Sequence, residues 1–246
     1  MSGHNKWSKI KRKKGVEDIR RGKIFTKILK EITVAVKENG SDADANPRLR
    51  LALANAKGAN MPKDNIQRAI YKGSEVGGAN YIEASYEGYG PGGVAIFVEC
   101  STDNMNRTVS LVRSLFSKYG GALGTNGSLS FIFDHKGIFT IPQQARDEEV
   151  FVMQMIDAGA EDVELDEGFF TVTCRFEDFG LLQKKMEVLG VEAESVGLQR
   201  IPKSSSEVDV ETAKKTLKLI ELLEEDDNVQ AVYHNMEMTE ELAAQL

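Results

Sequence analysis

The residues best equipped for chemistry stand at the start of the chain. Within Met1–Lys30 (MSGHNKWSKIKRKKGVEDIRRGKIFTKILK) lie Lys6, Lys9, Lys11, Arg12, Lys13, Lys14, Arg20, Arg21, Lys23, Lys27 and Lys30. Only Glu17 and Asp18 oppose them, so this stretch carries +9 in a chain whose formal total is −7. Cations at such density neutralise phosphates and release condensed counterions, a favourable term that needs no particular base sequence. Trp7, the only tryptophan, lies inside the run, and an indole can stack on a base. The charge predicts a surface for a polyanion, nucleic acid above all. The plainer alternative is a solvated basic tail with Trp7 packed on its own domain.

Two other stretches invite chemistry. Gly88-Tyr89-Gly90-Pro91-Gly92-Gly93 matches the text pattern of a dinucleotide-binding loop, but that loop must open a helix. Here the β-rich run Val94-Ala95-Ile96-Phe97-Val98 follows, so the glycines are expected to turn one strand into the next, with Tyr89 exposed there as a contact. Asp103 to Thr108 is a polar cluster where a strand gives way to a helix. Helix N-termini bind anions, and Asn104 and Arg107 could hold a phosphate; capping by Thr102 or Asp103 explains the same residues. No local Ser/His/Asp or Cys/His set suggests catalysis. His4, His135 and His234 are far apart, without partners at metal-ligand spacing, so neither a metal nor a cofactor is expected. Cys100 and Cys174 sit in apolar strand-like runs and read as buried thiols.

These residues need elements to position them. Phe25, Ile28, Leu29, Ile32 and Val36 recur at helical spacing from Gly22 to about Glu38, and Asn39-Gly40 stops the helix. Arg20, Arg21, Lys23 and Lys27 therefore extend the charge onto an ordered element. Met1–Lys14 holds too few large apolar groups to offset its ordering entropy and is expected to be mobile when free. Asn46-Pro47 reads as a cap and first helical residue of a helix to about Gly58. After Met61-Pro62 a short helix runs from about Asp64 to Lys72, with Ile66, Ala69 and Ile70 inward and Gly73 as its stop. Ser74–Ala79 is a linker.

Strands are expected at Tyr81–Tyr89, Val94–Ser101 and Ser128–Asp134, around a helix at Asn104–Tyr119 with the stripe Met105, Val109, Val112, Phe116 and Tyr119. The segment 137–202 then reads β-α-β-β-α-β, a ferredoxin-like unit complete in itself. The remaining helix (Val210–Glu225) and strand (Val229–Met236) cannot bury a core alone and must return to the earlier sheet. The expected fold class is thus a multi-domain α and β protein. It has an all-α N-terminal domain (1–79) and two ferredoxin-like α+β domains. The third (136–202) is inserted into the second (80–135 with 203–246).

At 246 residues, 41% hydrophobic and 28% charged, the chain suits two or three globular domains. No apolar run approaches the roughly 20 residues that span a bilayer, and no apolar segment follows the basic start as a secretory signal requires. A cytoplasmic protein without membrane contact is expected. Residues 1–80 carry +10 and the rest −17, a basic head on an acidic body. The head is drawn to phosphates, while the body resists non-specific adhesion to them.

The runs GHNKWSKIKRKK, RGKIFTKILKEI, NPRLRLAL, NMPKDNIQRAI, YEGYGPGGVAIFVE, TDNMNRT and GGALGTNGSLSFIF, in this order, resemble the YebC/PmpR family over nearly the whole chain. Asn5 and Met105 depart from its usual pattern, where Ser and a basic residue are common. The resemblance implies a helical first domain and a third domain inserted into the second. It also implies that His4, Lys6, Trp7, Lys9, Lys11, Arg12, Arg21, Lys23, Lys27 and the loop Met61-Pro62-Lys63 carry function. Members of that family are generally labelled transcriptional regulators that bind DNA, and mitochondrial relatives are called translational activators of cytochrome c oxidase. Some resemble ribosome-associated factors that ease translation through proline-rich stretches. The expectation is a monomeric, non-enzymatic regulator that binds DNA or, alternatively, ribosomal RNA on the ribosome.

Overall fold

The computed structural model describes residues 17–75, 80–239 and 242, with the backbone alone for 17–21. The arm Met1–Lys14 and most of the linker lie outside the described residues. In chain order the elements begin with helices α1 (Glu17–Asn39), α2 (Pro47–Gly58) and α3 (Lys63–Ser74). Then come β1 (Ile82–Tyr89), β2 (Ala95–Thr102), α4 (Met105–Lys118), β3 (Ala122–Leu123) and β4 (Phe133–Pro142). The rest are α5 (Glu148–Ala158), β5 (Asp162–Asp166), β6 (Phe169–Arg175), α6 (Phe179–Val188), β7 (Ser195–Pro202), α7 (Val210–Glu225) and β8 (Val229–His234). This is a mixed α/β protein with an N-terminal helical region and two four-stranded antiparallel sheets. It divides into two compact units, one from Ile24–Gly78 and His135–Gln199, the other from Met1–Lys23, Ala79–Asp134 and Arg200–Leu246.

In the first of these units the helices form as local signals require. The Asn46 side chain accepts the Leu49 N–H at 3.0 Å, capping α2, and Pro47 opens its first turn. The same buried amide donates to the carbonyls of Ala35 (2.7 Å) and Gly40 (2.8 Å), tying the end of α1 to the start of α2. Gly40 takes φ +84, a conformation that suits a residue without Cβ. Ile32, Ala35, Val36, Leu49, Ala52, Ala56, Met61 and Ala69 make the helical core.

Gly73 does not stop α3. It lies inside the helix, where an added Cβ would stand 2.7 Å from the Thr33 carbonyl oxygen and 2.8 Å from Val36 Cβ. Its missing side chain lets α1 and α3 touch.

The sheet of this unit has the order β5-β6-β4-β7. Helices α5 and α6 supply Phe151, Met155, Leu182 and Met186 to a core shared with Phe139, Ile141, Phe170 and Val172. Leu51 of α2 packs against that core, and Asn55 Oδ1 accepts the Val196 N–H at 2.8 Å. At Gly58 a Cβ would fall 1.8 Å from the Glu194 carbonyl oxygen, so only glycine permits this approach.

The other unit holds the sheet β3-β1-β2-β8. Strands β1 and β2 form a hairpin from Ile82↔Thr102 to Tyr89↔Ala95, closed through Gly92 (φ +67) and Gly93 (φ +75) as the glycines predict. Strand β2 alternates Ile96, Val98 and Cys100 against Ala95 and Phe97, and both sets are buried. One set meets Val112 and Phe116 of α4 and Leu219, Ile220 and Leu223 of α7; the other meets Leu129, Ile132 and Phe133. A strand covered on both faces reads as a continuous apolar run. Strand β8 pairs with β2 (Ile96↔His234, Val98↔Val232), which is how the last helix and strand find a core.

The structure corrects two further expectations. Residues Ser128–Ile132 are successive tight turns, and the strand begins only at Phe133, in the other sheet. The cause is Glu87, a buried carboxylate that accepts the N–H groups of Gly127 (2.7 Å) and Leu129 (2.6 Å) and so occupies donors a ladder would need. Met105, placed in the inward stripe of α4, is 45% exposed, while Thr108, Val112 and Phe116 are buried.

Candidate nucleic-acid interface

Of the expected contact residues, His4, Lys6, Trp7, Lys9, Lys11, Arg12, Lys13 and Lys14 lie outside the described residues. Arg20 and Arg21 fall on α1 by backbone. Lys23 and Lys27 stand half-buried on the same helix, and Lys27 is engaged in a contact of its own. Met61 is buried in the helical core, whereas Pro62 and Lys63, next to it, are exposed at the entry to α3. Tyr89, Asn104 and Arg107 belong to the other unit. Tyr89 is 40% exposed at the end of β1. Asn104 accepts the Arg107 N–H at 3.0 Å and caps α4, while the Arg107 guanidinium pairs with Asp103. The cap of α4 is thus Asn104 rather than Thr102 or Asp103.

Most side-chain cations of the head and body are held internally. Arg48 bridges Glu31 and Glu38, and Arg50 donates to the carbonyls of Ala43 and Asp44. Lys57 pairs with Glu192, Lys136 with Glu161, Lys215 with Glu211 and Lys218 with Glu221. Helix α3 gathers three cations that are not. Lys63, Arg68 and Lys72 are all exposed, and among the described residues none has an ion-pair partner.

The reason is the way α3 docks. Ile66, Ala69, Ile70 and Gly73 face the helical core, and the Thr33 hydroxyl donates to Leu29 O (2.9 Å) and reaches Ala69 O (3.4 Å). That face fixed, Arg68, Tyr71 and Lys72 must point to solvent. The sequence placed the inward residues of α3 correctly, and the outward set follows from the same 3.6-residue period. Arg68, Tyr71 and Lys72 do not stand out in the sequence beside the arm's denser charge, because pairing depends on the fold.

A second cluster of ionisable groups serves packing. Arg200 Nε donates to Glu99 Oε1 at 2.9 Å, and its guanidinium lies 3.9 Å from the Phe97 ring centroid. Burial raises the Glu99 carboxyl above the usual range, with Arg200 pulling it back. Burial, then the neighbouring Glu99, pushes the Tyr233 hydroxyl up. These groups face one another and brace the back of the sheet. Cys100 and Cys174 are buried free thiols, and burial, with Asp178 next, raises Cys174 to about 11. Among the described residues no group of three His, Cys, Asp or Glu could hold a metal ion, and no helix is long and apolar enough to cross a membrane.

Fold and site together define a mixed α/β protein whose N-terminal helical region displays exposed cations. The chain belongs to the TACO1/YebC family. Residues 5–76 match the model of the TACO1/YebC protein N-terminal domain, and residues 81–236 match that of the TACO1/YebC second and third domain. A protein of Amoebophilus asiaticus named a probable transcriptional regulatory protein is 52% identical over 239 residues, covering 96% of this chain and 98% of its own. One of the same name from Rubrobacter xylanophilus is 48% identical over 248 residues, covering 100% and 99%. A crystal structure of a conserved hypothetical protein from Aquifex aeolicus is similar with a TM-score of 0.82 at 44% identity, covering 91% of this chain and 93% of that one.

Proposed function

We propose that this protein is a non-enzymatic regulator of gene expression that binds DNA through its basic helical head. The observation that carries this is the charge: +10 over residues 1–80 against −17 beyond, with Lys63, Arg68 and Lys72 exposed on α3 and, among the described residues, without an ion-pair partner. Phosphates are the natural counter-charge for such a surface. The name carried by the relatives supports a regulator.

The accompanying layout is three domains, 1–79, 80–135 with 203–246, and 136–202. The order β5-β6-β4-β7, with α5 and α6 as crossovers, supports a ferredoxin-like third domain inserted into the second. The protein acts in the cytoplasm as a monomer and needs no cofactor. Replacing Lys11, Arg12, Lys13 and Lys14 together by Ala weakens duplex binding and flattens its log–log salt slope by up to about 3.6, at roughly 0.9 per phosphate contact. An unchanged slope and affinity would sink the proposal. Crosslinking in cells, followed by sequencing of both DNA and RNA, then names the target.

A second interpretation, ribosomal RNA on the ribosome, is favoured by one observation. Tyr71, on the same helix as the unpaired cations, is 69% exposed, and RNA loops offer base faces that a duplex hides.

A further inference from the structure

We infer that the outer face of α3 is a contact for unpaired nucleotides, in which Tyr71 stacks on a base while Arg68 and Lys72 hold the flanking phosphates. This rests on the head being the nucleic-acid-binding part of the chain.

Three observations converge. Tyr71 is the most exposed of the six tyrosines, at 69%, whereas Tyr86 and Tyr233 are buried. An aromatic ring left in water on a rigid element is available area, and every base has a face to place on it. Secondly, Arg68 and Lys72 are one helical turn apart on the side that Tyr71 shares. Like charges at that spacing repel and weaken a helix. Neither has an ion-pair partner among the described residues, although Asp64 lies four residues before Arg68. A phosphate backbone removes that repulsion.

The third observation is rigidity. Gly73 and Ala69 let α3 lie directly against α1, with the Thr33 carbonyl oxygen 2.7 Å from where a Cβ on Gly73 would stand. The outer face is thereby held still, which lowers the ordering cost of stacking.

The face distinguishes strands. In a duplex the base faces are stacked on one another, so a lateral tyrosine meets sugar and phosphate only. A single strand, of RNA or of DNA, offers its bases to the ring.

The test measures binding of mixed-sequence oligonucleotides of about 12 nucleotides, within the usual site sizes, as single-stranded RNA, single-stranded DNA and duplex DNA, across a salt series. Wild type, Tyr71→Phe, Tyr71→Ala and the double variant Arg68→Ala/Lys72→Ala are compared, with unchanged circular dichroism confirming that each is folded. Tyr71→Ala is expected to lose about 5- to 150-fold on a single strand, as loss of one stacked base does. Tyr71→Phe keeps the ring and the affinity, and duplex binding moves by no more than about twofold. The double variant flattens the single-strand salt slope by about 1.4, at roughly 0.7 per phosphate. The arm with the larger loss identifies the strand as RNA or DNA. If wild type binds but Tyr71→Ala is silent, or weakens duplex and single strand equally, this inference is overturned and the basic head stands. If wild type binds none of the three probes, both fall.

Discussion

The Glu87 carboxylate accepts the backbone N–H of Leu129 at 2.6 Å across forty-odd residues of chain, and its second oxygen takes the N–H of Gly127 at 2.7 Å. One buried side chain thus supplies the hydrogen bonds that a sheet partner would otherwise supply, and the segment turns instead of extending. Glu87→Ala leaves these donors unpaired and opens a cavity, and is expected to cost on the order of 3 kcal/mol in urea unfolding. Glu87→Gln, which keeps one acceptor and the shape, costs less. Equal stability of the Ala variant and wild type would remove the clamp from the account.

Two glycines on packed helices should respond in opposite directions to the same methyl group. At Gly73 the new Cβ meets backbone oxygen that cannot swing away, so Gly73→Ala is expected to destabilise by about 1–3 kcal/mol, as overpacking does. At Gly22 nothing among the described residues lies within 4 Å of the Cβ position. Gly22→Ala is expected to stabilise α1 by roughly 0.5–1 kcal/mol through the lost freedom of the unfolded chain. Thermal midpoints of the two variants, falling for one and rising for the other, check this.

The thiols should be silent in the folded protein. Both are buried, and Cys174 at about 11 remains protonated at neutral pH, while it is the thiolate that reacts. Iodoacetamide at pH 8 is expected to leave native protein unmodified and to label both cysteines in denaturant. Rapid labelling of the native form would contradict the packing described for β2 and β6.

Acid should weaken the cap of α7. The Asp209 carboxylate accepts the Thr212 N–H at 2.8 Å and the Thr212 hydroxyl at 3.1 Å, which lowers its pKa below the ordinary aspartate value. A depressed carboxylate contributes its stability fully above the unfolded value, about 3.9, and loses it as pH falls through the lower folded one. Asp209→Ala is therefore expected to lower the thermal midpoint at pH 7, by an amount that shrinks towards pH 3. Asp209→Asn keeps the cap without the charge and should show a flatter profile.

Local signals were readable and distant ones were not. The start of α2 at Asn46-Pro47 and the whole of α7 follow from caps and periodicity within a few residues. Ser128–Ile132 looked like a strand because nothing nearby reveals that Glu87 will claim its donors. Gly73 looked like a helix stop because its real constraint, Thr33, sits on another helix. At the candidate site the charge of the arm is a property of composition and was plain. That Arg48 and Arg50 are engaged, while Arg68 and Lys72 have no ion-pair partner among the described residues, depends on which carboxylates and carbonyls the fold brings near.

The pairing of β2 with β8 also sets an order of events on the ribosome. Ile96 leaves the exit tunnel long before its partner His234 exists, on the order of 10 s earlier at roughly 5–20 residues per second. For that interval the apolar strand β2 has β1 on one side and an open row of amides and carbonyls on the other. A nascent chain in this condition is a substrate for chaperones and for the wrong neighbour. Slow codons placed between 103 and 228 would lengthen the exposure, and truncation before Val229 would make it permanent. The last strand is thus a late seal, and its arrival marks when the protein becomes safe to release.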